Sequence, residues 1–332
     1  MKKKMNYRKS KAISTVLILV GLCFLTCQKK DVKKNDNEII FNKFPQENKI
    51  HFTNFFEFKN GTPLKLYAND STLVIYEPEG LKGKFFYNYS LKKNTLSAGY
   101  LNKGRGHGEA LAIFSNGIDK NFLWAYDISL KKILTFNRGC ELLPNVSSFN
   151  EYPLEDFYYQ IALRDSVTFF AVGNPKSKSK VQEINLKTLK TISEFGEYKD
   201  IPDNIPFDAY KSAQQCFISV KPSGNKILLF YRYTDLIEIF DLKKRTSFTT
   251  KGPEGFEADL EVKLQGGGNV SVRNKKTRFA FINAAVTDEF IYLLYSGNRD
   301  DYRFDGTSNY VYIYDWQGNP VKKLMLDKNI NC

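Results

Sequence analysis

Two glycine-rich turns carry the residues whose types and spacing are best suited to chemistry. Each reads Lys-Gly, four residues and then Glu: KGRGHGE at 103–109 and KGPEGFE at 251–257. Successive backbone N–H groups in such a turn can form an anion-binding nest, and Lys103 and Arg105 stand beside the first one. A turn that only joins two sheets needs the same glycines, and we favour that interpretation of the loop backbone.

The first turn also holds a histidine next to a glutamate, His107 and Glu109. Such a pair can perform acid–base catalysis or bind a metal, but an exposed loop histidine is the more common arrangement. The chain has only two His, and its five Cys include no Cys-x-x-Cys pair, so metal ligands are scarce. We therefore predict no metal, no cofactor and no catalytic residue. The candidate ligand- or partner-binding side chains are Lys103, Arg105, His107, Glu109, Lys251 and Glu257.

Motifs of the common enzyme classes do not occur in the sequence. There is no His-Glu-x-x-His, Gly-x-Ser-x-Gly or P-loop, and the acidic cluster at Asp300, Asp301 and Asp305 does not fit a calcium loop. Paired carboxylates can still converge from distant segments, as in glycoside hydrolysis. A carbohydrate-active or lyase-type enzyme therefore stays open as the alternative to a binding protein.

The N-terminus has the pattern of an export signal. Six basic residues lie within 2–11, and residues 12–26 carry no charge, which is short for a membrane span but typical of a signal peptide. This segment resembles a bacterial lipoprotein signal that ends before a lipidated Cys27. The Phe24-Leu25-Thr26 triplet departs from that pattern, so plain secretory cleavage and an uncleaved anchor helix remain alternatives. We expect a signal peptide at 1–26, a polar tether at 27–37 and one domain at 38–332.

Charge and cysteine usage limit the possible partners. The formal net charge is +13, but the six bases of the predicted signal contribute to it, and the remaining charge is spread along the chain. Nucleic-acid binding would need a basic stripe with interleaved aromatics, which the sequence does not show. A disulfide between Cys140 and Cys216 is possible in an oxidising compartment, although separate buried thiols are favoured; Cys332 ends the chain.

A repeated hairpin organises the rest of the chain. Aromatic residues reach 15%, and short strands alternate with turns rich in Asp, Asn and Gly, which favours an all-β fold. A strand that ends in a Ser, Asp or Asn and is followed by a Lys- or Gly-containing turn recurs five times, at Ser90, Asp127, Asn185, Asp241 and Asp315. We interpret these as the outer hairpins of five four-stranded units. Stacking such units in a ring buries their faces, which predicts a β-propeller.

These hairpins, with the two glycine-rich turns between units, resemble the TolB-like six-bladed β-propeller lipoproteins of Gram-negative envelopes over about residues 50–326. The resemblance implies a six-bladed ring, a lipid anchor in the outer membrane and a role as a binding or adaptor module for a protein or peptide. Only 17 residues follow Asp315, too few for a sixth blade. Either strands from 38–44 or 50–58 close the ring, or the last blade is open or incomplete, which we slightly favour.

Overall fold

The computed structural model describes residues 32–35, 37–54, 56–68, 71–97, 99–119, 122–137, 149–299 and 306–331. The predicted signal peptide, Cys27, most of the tether, Cys140, Cys332 and the Asp300–Asp305 cluster lie outside these ranges. Within them, no helix is long and apolar enough to cross a membrane.

Strands make up most of the described chain. An N-terminal arm contains β1 (Val32–Asn35), β2 (Glu38–Phe41) and β3 (Glu47–Ile50). Blade 1 contains β4 (Lys65–Ala68), β5 (Thr72–Tyr76) and β6 (Lys84–Ser90), with an interrupted outer strand formed by β7 (Thr95–Leu96) and β8 (Tyr100–Asn102). Blade 2 contains β9 (Ile113–Ile118), β10 (Phe122–Asp127), β11 (Lys132–Asn137) and β12 (Phe149–Pro153).

The remaining blades follow in chain order. Blade 3 contains β13 (Gln160–Leu163), β14 (Thr168–Val172), β15 (Ser179–Asn185) and β16 (Thr191–Glu197). Helix α1 (Phe207–Ala213) precedes blade 4, which contains β17 (Cys216–Val220), β18 (Lys226–Tyr231), β19 (Leu236–Asp241) and β20 (Thr246–Lys251). A separate hairpin, β21 (Leu260–Gln265) and β22 (Gly268–Arg273), precedes blade 5, which contains β23 (Phe281–Val286), β24 (Phe290–Tyr295), β25 (Ser308–Asp315) and β26 (Pro320–Ile330).

Five four-stranded antiparallel sheets thus succeed one another in the described residues, which confirms the predicted all-β propeller and gives one blade fewer than the six that the resemblance implies. Each pair of consecutive blades shares an apolar cluster. Because four antiparallel strands return the chain to the side where it entered, all connections between blades lie on one face of the ring, here called the entry face. Both glycine-rich turns belong to this face.

One hydrogen-bond pattern explains why the repeated hairpins share a Ser, Asp or Asn at the start of the turn. The Asn185 carboxamide oxygen accepts the N–H groups of Lys187 and Thr188 at 3.0 and 2.9 Å. This local bond replaces backbone pairing in the tight turn, which explains the preference for Asp, Asn or Ser. The same acceptor role is played by four more side chains: Ser90, Asp127, Asp241 and Asp315.

One of the five hairpins differs from the expectation. Four of them join the third and fourth strands of a blade, but the Asp127 turn joins β10 and β11, the second and third strands of blade 2. It therefore lies on the entry face, opposite the other four.

The N-terminal arm adds strands to the outer edges of the last two blades. Strand β2 pairs in parallel with β20 of blade 4, and β1 pairs antiparallel with β2. Phe41 and Phe44 are both 3% exposed and insert between blades 4 and 5, where their rings contact Tyr312 and Tyr314. The arm thus fills the outward-widening gap between these two blades.

The ring is closed by the same arm. Strand β3 pairs in parallel with β26, so an N-terminal and a C-terminal strand meet in blade 5. The chain then crosses to blade 1, where Phe56 packs against Tyr89 at 4.0 Å between ring centres. Asn283 of β23 donates to the Leu64 carbonyl at 2.9 Å. The expectation of an open or incomplete last blade is therefore wrong, because blade 5 has four strands of its own and a fifth from the arm.

Candidate binding cleft

A cleft of about 1000 Å³ opens between the outer parts of blades 3 and 4. Its walls are β16 on one side and β19 with β20 on the other, and these strands diverge because blades splay apart with distance from the ring axis. Residues 198–214 and the β21–β22 hairpin form its border toward the entry face. Glu38 of the arm, which pairs with Thr249 of β20, also contributes to the lining.

Helix α1 is held at the border of the cleft by Lys211, whose ammonium binds three backbone carbonyls. The Lys211 ammonium donates to the carbonyls of Asn174, Pro175 and Ser177 in the loop between β14 and β15. Burial lowers the pKa of Lys211, and the three carbonyl acceptors compensate for the loss of water. On the other side, Ser271 of β22 donates to the Ala209 carbonyl at 2.8 Å, which joins the hairpin to the helix.

The floor of the cleft is a buried polar network. Lys180 and Glu238 form an ion pair at 2.7 Å with side chains 16% and 7% exposed. Tyr231 donates to the same carboxylate oxygen at 3.0 Å, and burial raises the pKa of its phenol well above the ordinary value. Ser247 donates to the other oxygen. These bonds hold Glu238 in place, so its carboxylate is already engaged by the protein.

Aromatic and acidic side chains dominate the rest of the lining. The aromatic members are Phe195, Tyr198, Tyr210, Phe240 and Phe248. Seven carboxylates line the cleft against four basic side chains, in a chain whose total balance is strongly basic. The carboxylates of Glu38, Glu197 and Asp200 make no hydrogen bond or ion pair with any residue in the described ranges. The cleft is therefore an acidic, partly apolar recess on a basic protein.

The second glycine-rich turn borders this cleft. Lys251 and Glu257, two of the candidate residues from the sequence, form an ion pair on its wall. The turn between them is anchored by Asp235, whose Oδ2 accepts the N–H groups of Glu254 and Gly255 at 2.8 Å each. Asp235 is 1% exposed, its Oδ1 has no partner in the part of the chain described, and burial raises the pKa of its carboxyl.

The backbone amides of the first glycine-rich turn donate hydrogen bonds to carboxylates of the protein. Gly106 donates to Glu109 at 2.8 Å, and Gly108 donates to Glu151 of β12 at 3.0 Å. The Glu151 carboxylate also meets Lys132 at 3.0 Å. Burial disfavours the charged form of Glu151, but these hydrogen bonds outweigh it and hold its pKa below the ordinary value. The amides that could form a nest for an external anion thus bind carboxylates of the protein itself, in keeping with the favoured interpretation of a connecting turn.

The other candidate binding residues of this turn lie away from the cleft. Lys103 donates to the Glu79 carbonyl at 2.5 Å, and the exposed His107 lies 3.4 Å from Glu151. A Cβ at Gly104 would lie 2.0 Å from a Glu109 oxygen, so a larger residue there would displace the flexible Glu109 carboxylate. Arg105 is exposed. None of these four candidates, Lys103, Arg105, His107 and Glu109, lines the cleft.

Sequence reasoning thus found one border of the cleft and missed the rest. Lys180, Glu238 and Tyr198 come from three separate segments that only the blade packing brings together. A signal was present in EFGEY at 194–198, where two aromatic residues flank a glycine and a glutamate. Within the described ranges, no three His, Cys, Asp or Glu side chains converge as metal ligands. Cys216 is a buried free thiol.

The strand topology and the interlocking blade cores define a β-propeller protein. The sequence matches the model of the TolB-like 6-blade propeller-like family over residues 40–332, and the chain belongs to this family. The described residues form five blades of this propeller. No curated protein matches the sequence significantly.

Three solved structures are similar to this chain at low identity. A protein described as exported from Bacteroides fragilis has 14% identity and a TM-score of 0.47, over 83% of this chain and 78% of its own. The RRP9 WD40 repeats have 10% identity and a TM-score of 0.46, over 83% and 84%. The β-propeller domain of Myceliophteria thermophila Cps50 (Swd1) has 12% identity and a TM-score of 0.42, over 80% and 87%.

Proposed function

We propose that this protein is a lipid-anchored propeller of the outer membrane that binds a protein or peptide partner in the cleft between blades 3 and 4. The observation that carries the proposal is the cleft itself. It is large, it combines five aromatic side chains with unpaired carboxylates, and its one central carboxylate, Glu238, is held by Lys180 and Tyr231. Propeller folds commonly present such surfaces to protein partners.

Binding is favoured over catalysis by the way the polar groups are used. Glu194 accepts from Gln182 at 2.6 Å and from Ser177 at 3.2 Å, and Glu238 is engaged as described. Both carboxylates therefore stabilise the blades, whereas the unpaired ones, among them Glu197 and Asp200, lie in the outer part of the cleft. Charges in such positions contribute to partner selection and association rate.

The membrane anchor is supported by the sequence. A basic start, an uncharged segment at 12–26 and Cys27 followed by a polar tether fit lipidation of that cysteine. A lipidated Cys27 lies only five residues before β1, which runs along the rim of blade 4. The anchor would therefore hold this side of the ring near the membrane.

Two experiments test the two parts of the proposal. Cys27→Ala should move the protein from the membrane to the soluble fraction, and retention in the membrane would show an uncleaved helix instead. A photo-crosslinking amino acid at Thr249, on the cleft wall, should give a discrete crosslinked protein in cells that make this chain. The matched position Thr188, an exposed residue of the β15–β16 turn, is the control. Equal products from both positions would refute binding in the cleft.

A further inference from the structure

Some gaps between neighbouring blades are filled by the N-terminal arm, whereas the gap between blades 3 and 4 is open. The gap between blades 4 and 5 is filled by Phe41 and Phe44 of the arm, whose rings meet edge to face at 5.0 Å. The space beside blade 1 that faces blade 5 is filled by Phe56 and Phe58 of the same arm. Each is thus filled by an extended segment that inserts aromatic side chains.

The arm also adds strands to the outer edges of blades 4 and 5. Strand β2 extends the outer edge of blade 4, and its alternate residues Ile39 and Phe41, 2% and 3% exposed, point into the gap with blade 5. Strand β3 extends the outer edge of blade 5 in the same parallel sense. An added strand supplies main-chain hydrogen bonds, and its alternate side chains enter the gap.

The gap between blades 3 and 4 also lies between the outer strands of two blades, but no described segment of the arm fills it. Strand β16 is the outermost strand of blade 3, and no described strand pairs with its outer edge. Its residues Thr191, Ile192, Glu194 and Glu197 are exposed, and residues 194–197 line the cleft. Phe195 and Phe240, 5.3 Å apart, form the apolar part of the wall. An unpaired edge beside an aromatic-lined recess is a template for strand addition.

We propose that the cleft binds an extended segment of a partner protein, which adds as a strand to β16 and inserts an aromatic side chain between blades 3 and 4. The segment carries basic residues beside its aromatic anchor, because the unpaired carboxylates of Glu38, Glu197 and Asp200 surround the recess. This inference rests on the proposed binding function and specifies the chemistry of the partner. The arm provides the template, since it fills the neighbouring gap in the same way.

The test begins with a library of random 12-residue peptides selected on the full-length protein. We expect the recovered peptides to share one aromatic residue flanked by Lys or Arg. The tightest peptide, labelled and titrated by fluorescence anisotropy, should bind Thr249→Trp at least about tenfold more weakly, because the indole fills the recess. Thr188→Trp, on the exposed turn between β15 and β16, is the matched control and should bind normally.

Two further measurements probe the mode of binding. In an added strand, alternate residues direct their N–H and C=O groups to the neighbouring strand. N-methylation of one alternating set of peptide residues should therefore abolish binding, and methylation of the other set should be tolerated. The Glu197→Lys/Asp200→Lys variant should weaken binding by about fivefold, and Glu289→Lys on the opposite face should have no effect.

The outcomes separate this inference from the proposed function. Peptides that lose binding with Thr249→Trp but lack the aromatic and basic residues, or tolerate methylation everywhere, would overturn strand addition and leave the binding function standing. Binding that appears only after residues 1–31 are removed would show that the chain's own basic segment occupies the cleft, which overturns a partner in trans. Failure to recover any peptide sensitive to Thr249→Trp would overturn both.

Discussion

Replacement of Phe44 by Ala measures how strongly the N-terminal arm holds blades 4 and 5 together. Phe44 is 3% exposed and contacts three rings, with centre-to-centre distances of 5.0 Å to Phe41, 4.7 Å to Tyr312 and 5.6 Å to Tyr314. Burial of the side chain contributes about 1.5–3 kcal/mol, and each favourable ring pair adds about 0.5–1.5 kcal/mol. Phe→Ala substitutions in cores cost about 3–5 kcal/mol, so we expect a loss of about 4 kcal/mol in the free energy of unfolding.

The assay is urea unfolding followed by tryptophan fluorescence. Trp316 is 2% exposed and belongs to the same apolar cluster, so its emission reports on this junction. A loss of that size corresponds to a melting temperature lower by about 10 °C. The matched control is Phe52→Ala in the same arm, because Phe52 is 41% exposed and its removal should cost less than about 0.5 kcal/mol.

Hydrogen exchange separates global loss of stability from local release of the arm. If the arm detaches alone, the amides of β2 exchange faster in Phe44→Ala, and those of β10, in the remote blade 2, are unchanged. If unfolding is global, both regions exchange faster. Unfolding midpoints and exchange rates equal to those of Phe52→Ala would refute the conclusion that the arm is an integral part of the ring.

Three further predictions concern other parts of the chain. Because the pKa of Glu151 in the folded state lies below its ordinary value of 4.5, this group stabilises the protein at neutral pH and loses its effect as pH falls through the folded-state pKa. Glu151→Gln should therefore lower the free energy of unfolding by about 1 kcal/mol at pH 7, and urea titrations at pH 3.5 should show a smaller difference; an equal loss at both pH values would contradict this. Gly104→Ala should cost about 0.5–1.5 kcal/mol, because the added methyl displaces the Glu109 carboxylate from its hydrogen bond with Gly106, and a double-mutant cycle with Glu109→Ala should show a smaller cost of the added methyl, whereas additive losses would argue against the steric cause. Burial raises the pKa of Cys216 to about 12, so its alkylation by iodoacetamide at pH 8, followed by mass spectrometry, should be slower than that of glutathione by a factor on the order of a thousand; comparable rates would show that the thiol is accessible.

The repeated turns explain why the architecture could be predicted from the sequence. Asn185 and Asp241 act through bonds to amides two and three residues ahead, so the requirement is local and visible in the chain. Segment 38–44 was named as a possible closing strand, but it pairs with β20 of blade 4, and the N-terminal strand that pairs with β26 is β3 at 47–50. The displaced turn at Asp127 could not be recognised, because its sequence is the same on either face of the ring.

The cleft could not be predicted for a physical reason. Its lining residues extend in sequence from Asn37 to Ser271, and their proximity depends on the angle at which blades 3 and 4 diverge. Lys180 gives no local sign that it pairs with Glu238, 58 residues later. The first glycine-rich turn had the stronger motif, but its amides are used by Glu109 and Glu151 within the protein. A glycine-rich motif of this kind therefore indicates a loop of defined backbone conformation more reliably than it indicates a ligand-binding site.

The position of the arm has a consequence for the order in which the protein folds. Strands β1 to β3 are synthesised before any blade, but they add to the last two, and His51 contacts Asp327 across 276 residues. Blades 1 to 3 can form from contiguous segments as the chain emerges, whereas β2 has no partner until β20 is complete and β3 has none until β26 is complete. Pairing of β3 with β26 therefore closes a loop that spans all five described blades, and such non-local contacts form late and slowly.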